Sequence, residues 1–392
     1  MITKTHERIV AAVDELAGAL TGLSLDLHAR PELAMREEYA AGRICGLLED
    51  EGFKVERCVA GLPTAFRATW GSGRPVVAYL CEYDALPGIG HGCGHNLIAS
   101  GGAGAAIALR RALPDPPGTI ACIGTPGEEG AGGKIIELEA GVFDDVDAAL
   151  MFHPGDRNWP WRHATAAIGL EIEYTGVAAH AAMAHEGRSA LAAVIQLFVA
   201  LDAMRQFMPE TARIHGIITD GGQAVNVVPA HAAAKFQVRA LTSEGALELL
   251  EQVEESARAA ASATGTTVTM RRGLLYAERK NNHAIASRAA AYLSSFGVQT
   301  EEPVLRGGTG SSDIGNVSLR LPAIHPYLKV APRGTPGHSV EMAAIAGGPG
   351  AQQAMLAMAK ALACTGADLL ADGSLLAAAR EEFATAGPDL PG

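Results

Sequence analysis

Short, uninterrupted apolar runs bounded by glycine, proline and charged residues dominate the first third of the chain. Residues 75–82 (PVVAYLCE), 119–125 (TIACIGT) and 147–152 (DAALMF) show no polar alternation. They are too short for helices and read as strands buried on both faces. Between the first two lies LIASGGAGAAIALRRAL, a small-residue helix ending in two arginines and a Leu-Pro stop; between the second and third, GGKIIELEAGVF reads as another helix. This alternation predicts an α/β domain with a mostly parallel sheet.

The pattern changes near Ile168. GLEIEYTG, RIHGIITDGG, HAAAKFQVRAL and TVTMRRGLLY alternate like half-buried strands, whereas SALAAVIQLFVALDAMRQ and ALELLEQVEESARAAASATG carry helical apolar stripes. Their order, β-α-β-β-α-β, predicts a ferredoxin-like α+β unit. After about Tyr276 the helix-plus-strand pattern returns. The expected organisation is one α/β domain in two parts, 1–167 and 277–392, with an inserted domain at 168–276. The terminal TAGPDLPG is expected to fray.

Composition then narrows the classes. The 392 residues are 48% hydrophobic and 19% charged, which excludes disorder over most of the length. Lys and Arg number 31 against 43 Asp and Glu, a net charge of −12 that argues against a nucleic-acid partner. No apolar stretch of about 18 residues is free of charge, and MITKTHERIVAAVDELAGAL reads as an amphipathic helix rather than a signal peptide. No membrane partner is expected, and the six cysteines are expected as reduced thiols in the cytoplasm. Cys45, Cys58, Cys81, Cys122 and Cys364 read as small buried apolar residues.

Cys93 stands apart. It lies in CEYDALPGIGHGCGHN (81–96), which follows a buried strand and precedes a helix. In open α/β sheets ligands bind at the carboxyl ends of strands. Cys93 and His95 are both metal-ligand types, and Gly92 and Gly94 permit unusual backbone angles there. Glu128 and Glu129 follow the second strand, and His153 the third. Near a cation, one of two adjacent carboxylates can coordinate while the other holds a proton. Each group alone is compatible with a solvated loop; three at one edge of a sheet point to a site. Other polar residues read as structure: His28 as packing or capping, His215, His231 and His283 as surface or strand-edge positions, and Asp144, Asp145 and Asp147 as a solvated loop. The GGAG at 101–104 lacks the Lys-Ser/Thr of a phosphate loop.

These motifs, together with LDLHARPEL (25–33), GTPGEEG (124–130), MFHP (151–154), TGVAAHAAMAHEGRSAL (175–191), NVVP (226–229), GSSDIGNVS (310–318) and GTPGHSVEM (334–342), resemble the M20 family of metallopeptidases and amidohydrolases. The similarity is strongest to its branch of p-aminobenzoyl-glutamate hydrolase and aminoacylase-1-like-2 proteins. It implies a zinc-peptidase-like catalytic domain with an inserted dimerisation, or lid, domain. Cys93, His95, Glu129, His153 and His338 fall on metal ligands, Glu128 on the catalytic base, and Asp84 on an acidic position that orients a ligand. His180 falls on a lid histidine that donates to the developing oxyanion, in its own or the partner's site. Asn226, His185 and Arg188 fall near bound substrate. Arg239 suits a substrate carboxylate or a structural salt bridge. Asn96 replaces the family's frequent Asp, as is usual in this branch.

The resemblance therefore implies a homodimeric hydrolase with two divalent ions per subunit, zinc or manganese, with cobalt able to substitute. It would cleave the amide of a small N-acyl or N-aroyl amino acid or dipeptide. Deamination of an aromatic amine on the same site, or a silent metal-binding homologue, are the alternatives.

Overall fold

Ile9, Val13, Leu16, Leu20, Leu23 and Leu27 recur at helical spacing, and their burial fixes the first helix, α1 (Lys4–Ala29), whose start is capped by the Thr3 side chain accepting from the His6 N–H. The structure, a computed structural model, describes residues 2–304 and 310–390. After α2 (Glu38–Asp50) come β1 (Lys54–Arg57), β2 (Phe66–Gly71) and β3 (Val76–Cys81). Then follow α3 (His95–Ala112), β4 (Thr119–Gly124), α4 (Gly133–Glu139), β5 (Ala148–Leu150) and β6 (His153–Gly155). Every residue of β3, β4 and β5 is buried, as expected for strands covered on both faces.

The next segment forms its own compact unit, Ala164–Glu278, joined by Gly310 and Ser311. It runs β7 (Ala166–Thr175), α5 (Ala190–Arg205), β8 (Arg213–Asp220), β9 (His231–Ala240), α6 (Ser243–Thr264) and β10 (Thr267–Tyr276). The antiparallel sheet has the order β10-β7-β9-β8, the ferredoxin-like arrangement that the sequence pattern implied. Its first strand starts at Ala166, slightly before the change of pattern at Ile168. Its core is separate, built from residues such as Ile172, Leu197, Phe236, Leu250 and Val253.

The chain then returns to the first unit with α7 (His283–Ser295), α8 (Ile314–Ser318), β11 (Ala323–Ile324), β12 (Tyr327–Lys329), α9 (Val340–Ala346), α10 (Pro349–Ala371) and α11 (Gly373–Thr385). The main sheet has the order β1-β2-β4-β3-β5-β11. From β4 through β3 and β5 to β11 the pairings are parallel; β1 and β2 add an antiparallel edge that the sequence pattern did not indicate. Helix α10 is long and apolar enough to cross a membrane, yet most of it is buried against α1, α3 and α7.

Four sequence readings need correction. Cys58 is exposed, not buried, and sits in the left-handed region with φ 58°. Asp147 is no solvated loop acid: it is 5% exposed, accepts from the Val76 N–H at 2.8 Å, and pairs with Arg74 and Arg380. His283 is no bare surface residue, and the C-terminal tail does not simply fray. Asp389 accepts from His283 Nε2 at 2.8 Å and from Asn281 Nδ2 at 2.9 Å, which anchors the tail to the start of α7.

Candidate metal centre

Three loops at the carboxyl ends of β3, β4 and β5 converge within the first unit. The loop after β3 carries Asp84, Cys93 and His95. Gly94 ends it at φ 72°, and a Cβ there would lie 2.5 Å from Pro154 Cγ, so only glycine lets this loop enter α3 beside β6. Gly92 differs from the sequence reading: it is not among the positive-φ residues, and its need is room, since a Cβ would meet Ile89 Cγ2 at 2.8 Å. His153 is the first residue of β6, which pairs in parallel with β12 and places His153 opposite Tyr327. His338 arrives from the loop before α9 at φ 55°, a left-handed backbone that few non-glycine residues adopt; such strain clusters at functional sites.

The donor atoms fall into two overlapping groups, each within 4.8 Å of one another: Cys93, His95 and His153, and Cys93, Glu129 and His338. Cys93 belongs to both. His95 Nδ1 donates to Asp84 Oδ1 at 2.9 Å, and His153 Nδ1 to the Pro154 carbonyl at 2.6 Å. Each imidazole therefore keeps Nε2 for another partner, the usual orientation of a metal-binding histidine. Asp84 also accepts from the Glu129 N–H at 2.9 Å, so one buried carboxylate orients residues of two loops. His95 Nε2 and Glu129 Oε1 are buried without a hydrogen-bond partner, and Glu129 Oε1 stands 3.3 Å from His338 Nε2. A thiol, three imidazoles and a carboxylate, with His95 Nε2 and Glu129 Oε1 free of hydrogen bonds, fit a pair of borderline divalent cations.

The electrostatics follow from burial. Desolvation, and next the positive His95, push His153 down to about 3, so it is neutral and able to ligate. Burial disfavours charge on His95 too, but the Asp84 and Glu82 carboxylates outweigh it and raise His95 well above its ordinary value. Burial, then the charges of Glu82, Glu129 and Asp313, raise Glu128 well above the usual carboxylate range. Burial and Glu129 also raise the Cys93 thiol; a bound cation reverses that sign, since a coordinating thiol is deprotonated.

Sequence reasoning missed two members of this environment. Glu82 and Lys134 are fully buried and joined by a 2.5 Å contact. The available signals were an acid at the very end of an apolar strand and a lysine inside a glycine-rich turn, both easily read as solvated.

The remaining candidates lie in the second unit. His180 caps a short 3-10 turn (Ala181–Glu186), its Nδ1 accepting from the Ala182 N–H at 3.1 Å. It bridges to Val227, and the Asn226 carbonyl accepts from the Ala181 N–H, so His180 and Asn226 are neighbours. His185 and Arg188 are exposed nearby, with Arg188 Nη1 donating to the Gly187 carbonyl. Arg239 is half-buried on β9 and donates to Ser311 Oγ at 2.8 Å and Gln237 Oε1 at 2.9 Å. Among the described residues it has no carboxylate partner, so the salt-bridge alternative is not observed there.

Comparison with known proteins places the chain in a family. Residues 164–264 match the model of a peptidase dimerisation domain, M20_dimer. The chain is 38% identical to the Xaa-Arg dipeptidase of Mus musculus over 96% of its own length and 91% of that protein's. It is 31% identical to a p-aminobenzoyl-glutamate hydrolase polypeptide of Escherichia coli (strain K12), over 92% of this chain and 91% of that one. A Bacillus subtilis structure described as a dinuclear metal binding peptidase from the M20 family shares the fold, with a TM-score of 0.62 at 22% identity over 88% of this chain and 98% of that one. Near-complete coverage by such relatives, around a two-unit fold of this topology, means that the chain belongs to the M20 family of metallopeptidases and amidohydrolases.

Proposed function

We propose that this chain is a metal-dependent amidohydrolase of small N-acyl or N-aroyl amino acids or dipeptides. It is a hydrolase of C–N bonds, as its family and relatives indicate. The observation that carries the finer reading is the pair of donor groups sharing Cys93, with Glu128 beside them: one oxygen each of Glu128 and Glu129 and a nitrogen of His95 lie within 4.8 Å of one another.

Two divalent ions, zinc or manganese with cobalt as a substitute, would be held by Cys93, His95, Glu129, His153 and His338. When bound, they supply Lewis-acid polarisation of the amide carbonyl and lower the pKa of water. Glu128 takes the proton of the attacking water and later delivers it to the leaving amine. Burial and the neighbouring carboxylates raise its proton affinity, and general acid–base work of this kind needs a side chain within reach of the proton it moves. His180 donates to the developing oxyanion. Arg239, which has no carboxylate partner among the described residues, receives the carboxylate of the substrate, and Asn226, His185 and Arg188 contact the rest of it.

The protein acts as a homodimer through the inserted unit. Strand β8 is a sheet edge, with Ile217 63% and Ile218 46% exposed, and α5 exposes Ile195 and Val199. A two-fold partner covers such an edge without open-ended growth. A cytoplasmic setting suits the six unpaired cysteines.

The test is turnover of the metal-loaded protein on a panel of N-acyl amino acids, N-aroyl amino acids and dipeptides, beside Glu128→Gln. Glu128→Gln is expected to keep its metal and lose roughly 10²–10⁴-fold in kcat. Equimolar acid and amine support amide cleavage, and ammonia without an acid supports deamination. A fully metallated protein with no turnover on any of them overturns the reading.

A further inference from the structure

Beside the metal-binding residues lies a buried charge that no step of the hydrolysis uses. Lys134, at the start of α4, has no exposed surface. Its Nζ donates to Glu82 Oε1 at 2.5 Å and to Asp313 Oδ1 at 2.8 Å, and its backbone N–H donates to Asp313 Oδ2 at 3.0 Å. Carboxylate oxygens of Glu82, Glu128 and Asp313 lie within 4.8 Å of one another, a grouping that could itself hold a metal ion. The second oxygen of Glu82, Oε2, has no hydrogen-bond donor and stands 3.5 Å from His95 Nε2, the nitrogen assigned to a metal.

This arrangement raises a chemical problem. A carboxylate oxygen so close to a metal-facing nitrogen is a ready ligand for a divalent cation. A hydrolytic centre, however, must leave a coordination position for water and substrate. A sixth protein ligand would occupy it. Lys134 solves the problem by geometry and charge together. It engages Glu82 through the other oxygen, ties Asp313 at two points, and supplies inside the acidic pocket the positive charge that another metal ion would otherwise bring. Removing one partner of a buried ion pair leaves the other uncompensated, whereas removing both is tolerated.

We propose that Lys134 is a positioning residue, a tethered internal cation that, with Asp313 as its second anchor, retains Glu82 in its own pocket, so that Glu82 neither ligates the metal pair nor crowds Glu128. The proposal rests on the metal-dependent reading above, and it assigns to Lys134 and Glu82 one linked role.

A charge-balance cycle tests it, using Lys134→Met, Glu82→Gln and the double variant in cobalt-loaded full-length protein. In Lys134→Met, Glu82 is freed to ligate. The absorption due to the Cys93 thiolate on cobalt should persist, the d–d bands should weaken as coordination number rises, and kcat should fall about 10–100-fold, the range for residues behind a metal's ligands, with little change in KM. In the double variant no carboxylate is released at this position, so spectrum and kcat should return towards those of Glu82→Gln alone. A merely space-filling lysine gives no such rescue. A double variant as impaired as Lys134→Met overturns the proposal, as does a Lys134→Met protein with wild-type spectrum and kcat. If Lys134→Met does not fold, recovery of a folded, active double variant supports the charge-balance role, and its failure to fold overturns it. The spectra need no substrate, so a wild type that binds cobalt but cleaves no amide would sink the amidohydrolase reading while leaving Lys134 decided.

Discussion

Asp84→Asn isolates one side chain on which two loops of the metal centre depend. Asp84 is 1% exposed; it accepts from His95 Nδ1 and from the Glu129 N–H, each at 2.9 Å, through different oxygens. An asparagine keeps one acceptor oxygen and puts an amide N–H₂ in place of the other. One of the two donors then faces a donor in a buried site. A hydrogen bond to a charged group contributes about 1.5–3 kcal/mol net, and a stranded buried donor costs a similar amount. At 1.4 kcal/mol per factor of ten, losing one such bond corresponds to about 10- to 150-fold in whatever equilibrium the geometry supports. Here that equilibrium is metal binding, because His95 and Glu129 belong to the two different donor groups. Chelator competition should therefore show weaker binding by one to two orders of magnitude, with both ions affected. Thermal unfolding in excess chelator serves as the control for general damage. Metal affinity within twofold of wild type, in a variant that folds, would refute the claim that Asp84 orients both ligands.

Other outcomes follow from the same geometry. Cys93→Ala should abolish turnover and lower bound metal per chain at both positions, since Cys93 is common to both donor groups; unchanged stoichiometry by elemental analysis would remove it from the ligand set. Ile217→Lys on the exposed edge of β8 should shift the protein from dimer to monomer in analytical ultracentrifugation, and an unaltered dimer would move the interface elsewhere. The hydrogen bond that His283 donates to Asp389 raises the pKa of His283 against an opposing effect of burial. The raised value means that the pair's contribution is full below the unfolded histidine value of about 6.5 and is lost as pH rises through the folded one. The Tm gap between wild type and Asp389→Asn should therefore be widest at mildly acidic pH and narrow towards alkaline pH; a gap that widens with pH has the wrong sign.

How much of this was legible depends on whether a residue's surroundings are local in sequence. The buried strands announced themselves as unbroken apolar runs, and their carboxyl ends marked where Cys93, His95, Glu128, Glu129 and His153 would gather. The ferredoxin-like order was equally readable, because alternation and helical stripes are local patterns. The β1–β2 edge was not: KVER has no apolar run and is held by antiparallel pairing with β2. The β6–β12 pair joins three-residue strands from distant parts of the chain, too short to carry a period. Asp147 read as solvated, and the tail that carries Asp389 as frayed, because their partners, Arg74, Arg380, Asn281 and His283, are remote in sequence.

Lys134 marks the deeper limit, and it also shows what the site required. From sequence a lysine is a surface residue unless its counter-charges can be named, and these come from the end of β3 and from the loop before α8. The resemblance that located the donor residues says which side chains meet a cation. It does not say which nearby carboxylates must be kept away from it. That second requirement follows from crowding: within one buried pocket the chain gathers Glu82, Glu128, Glu129, Asp84 and Asp313 around His95, Cys93 and Lys134. Only part of this negative charge can serve as ligand or base if a position for water is to remain. The rest needs a fixed counter-charge, and an ammonium anchored on α4 provides one at an invariable place. The expected consequence is an asymmetry among the acids. Neutralising Glu129 should reduce metal binding and neutralising Glu128 should reduce turnover. Neutralising Lys134 should be tolerated best where Glu82 is also neutral. A Lys134→Met protein whose activity is not improved by adding Glu82→Gln, or one unharmed on its own, would show that the pocket balances its charge without them.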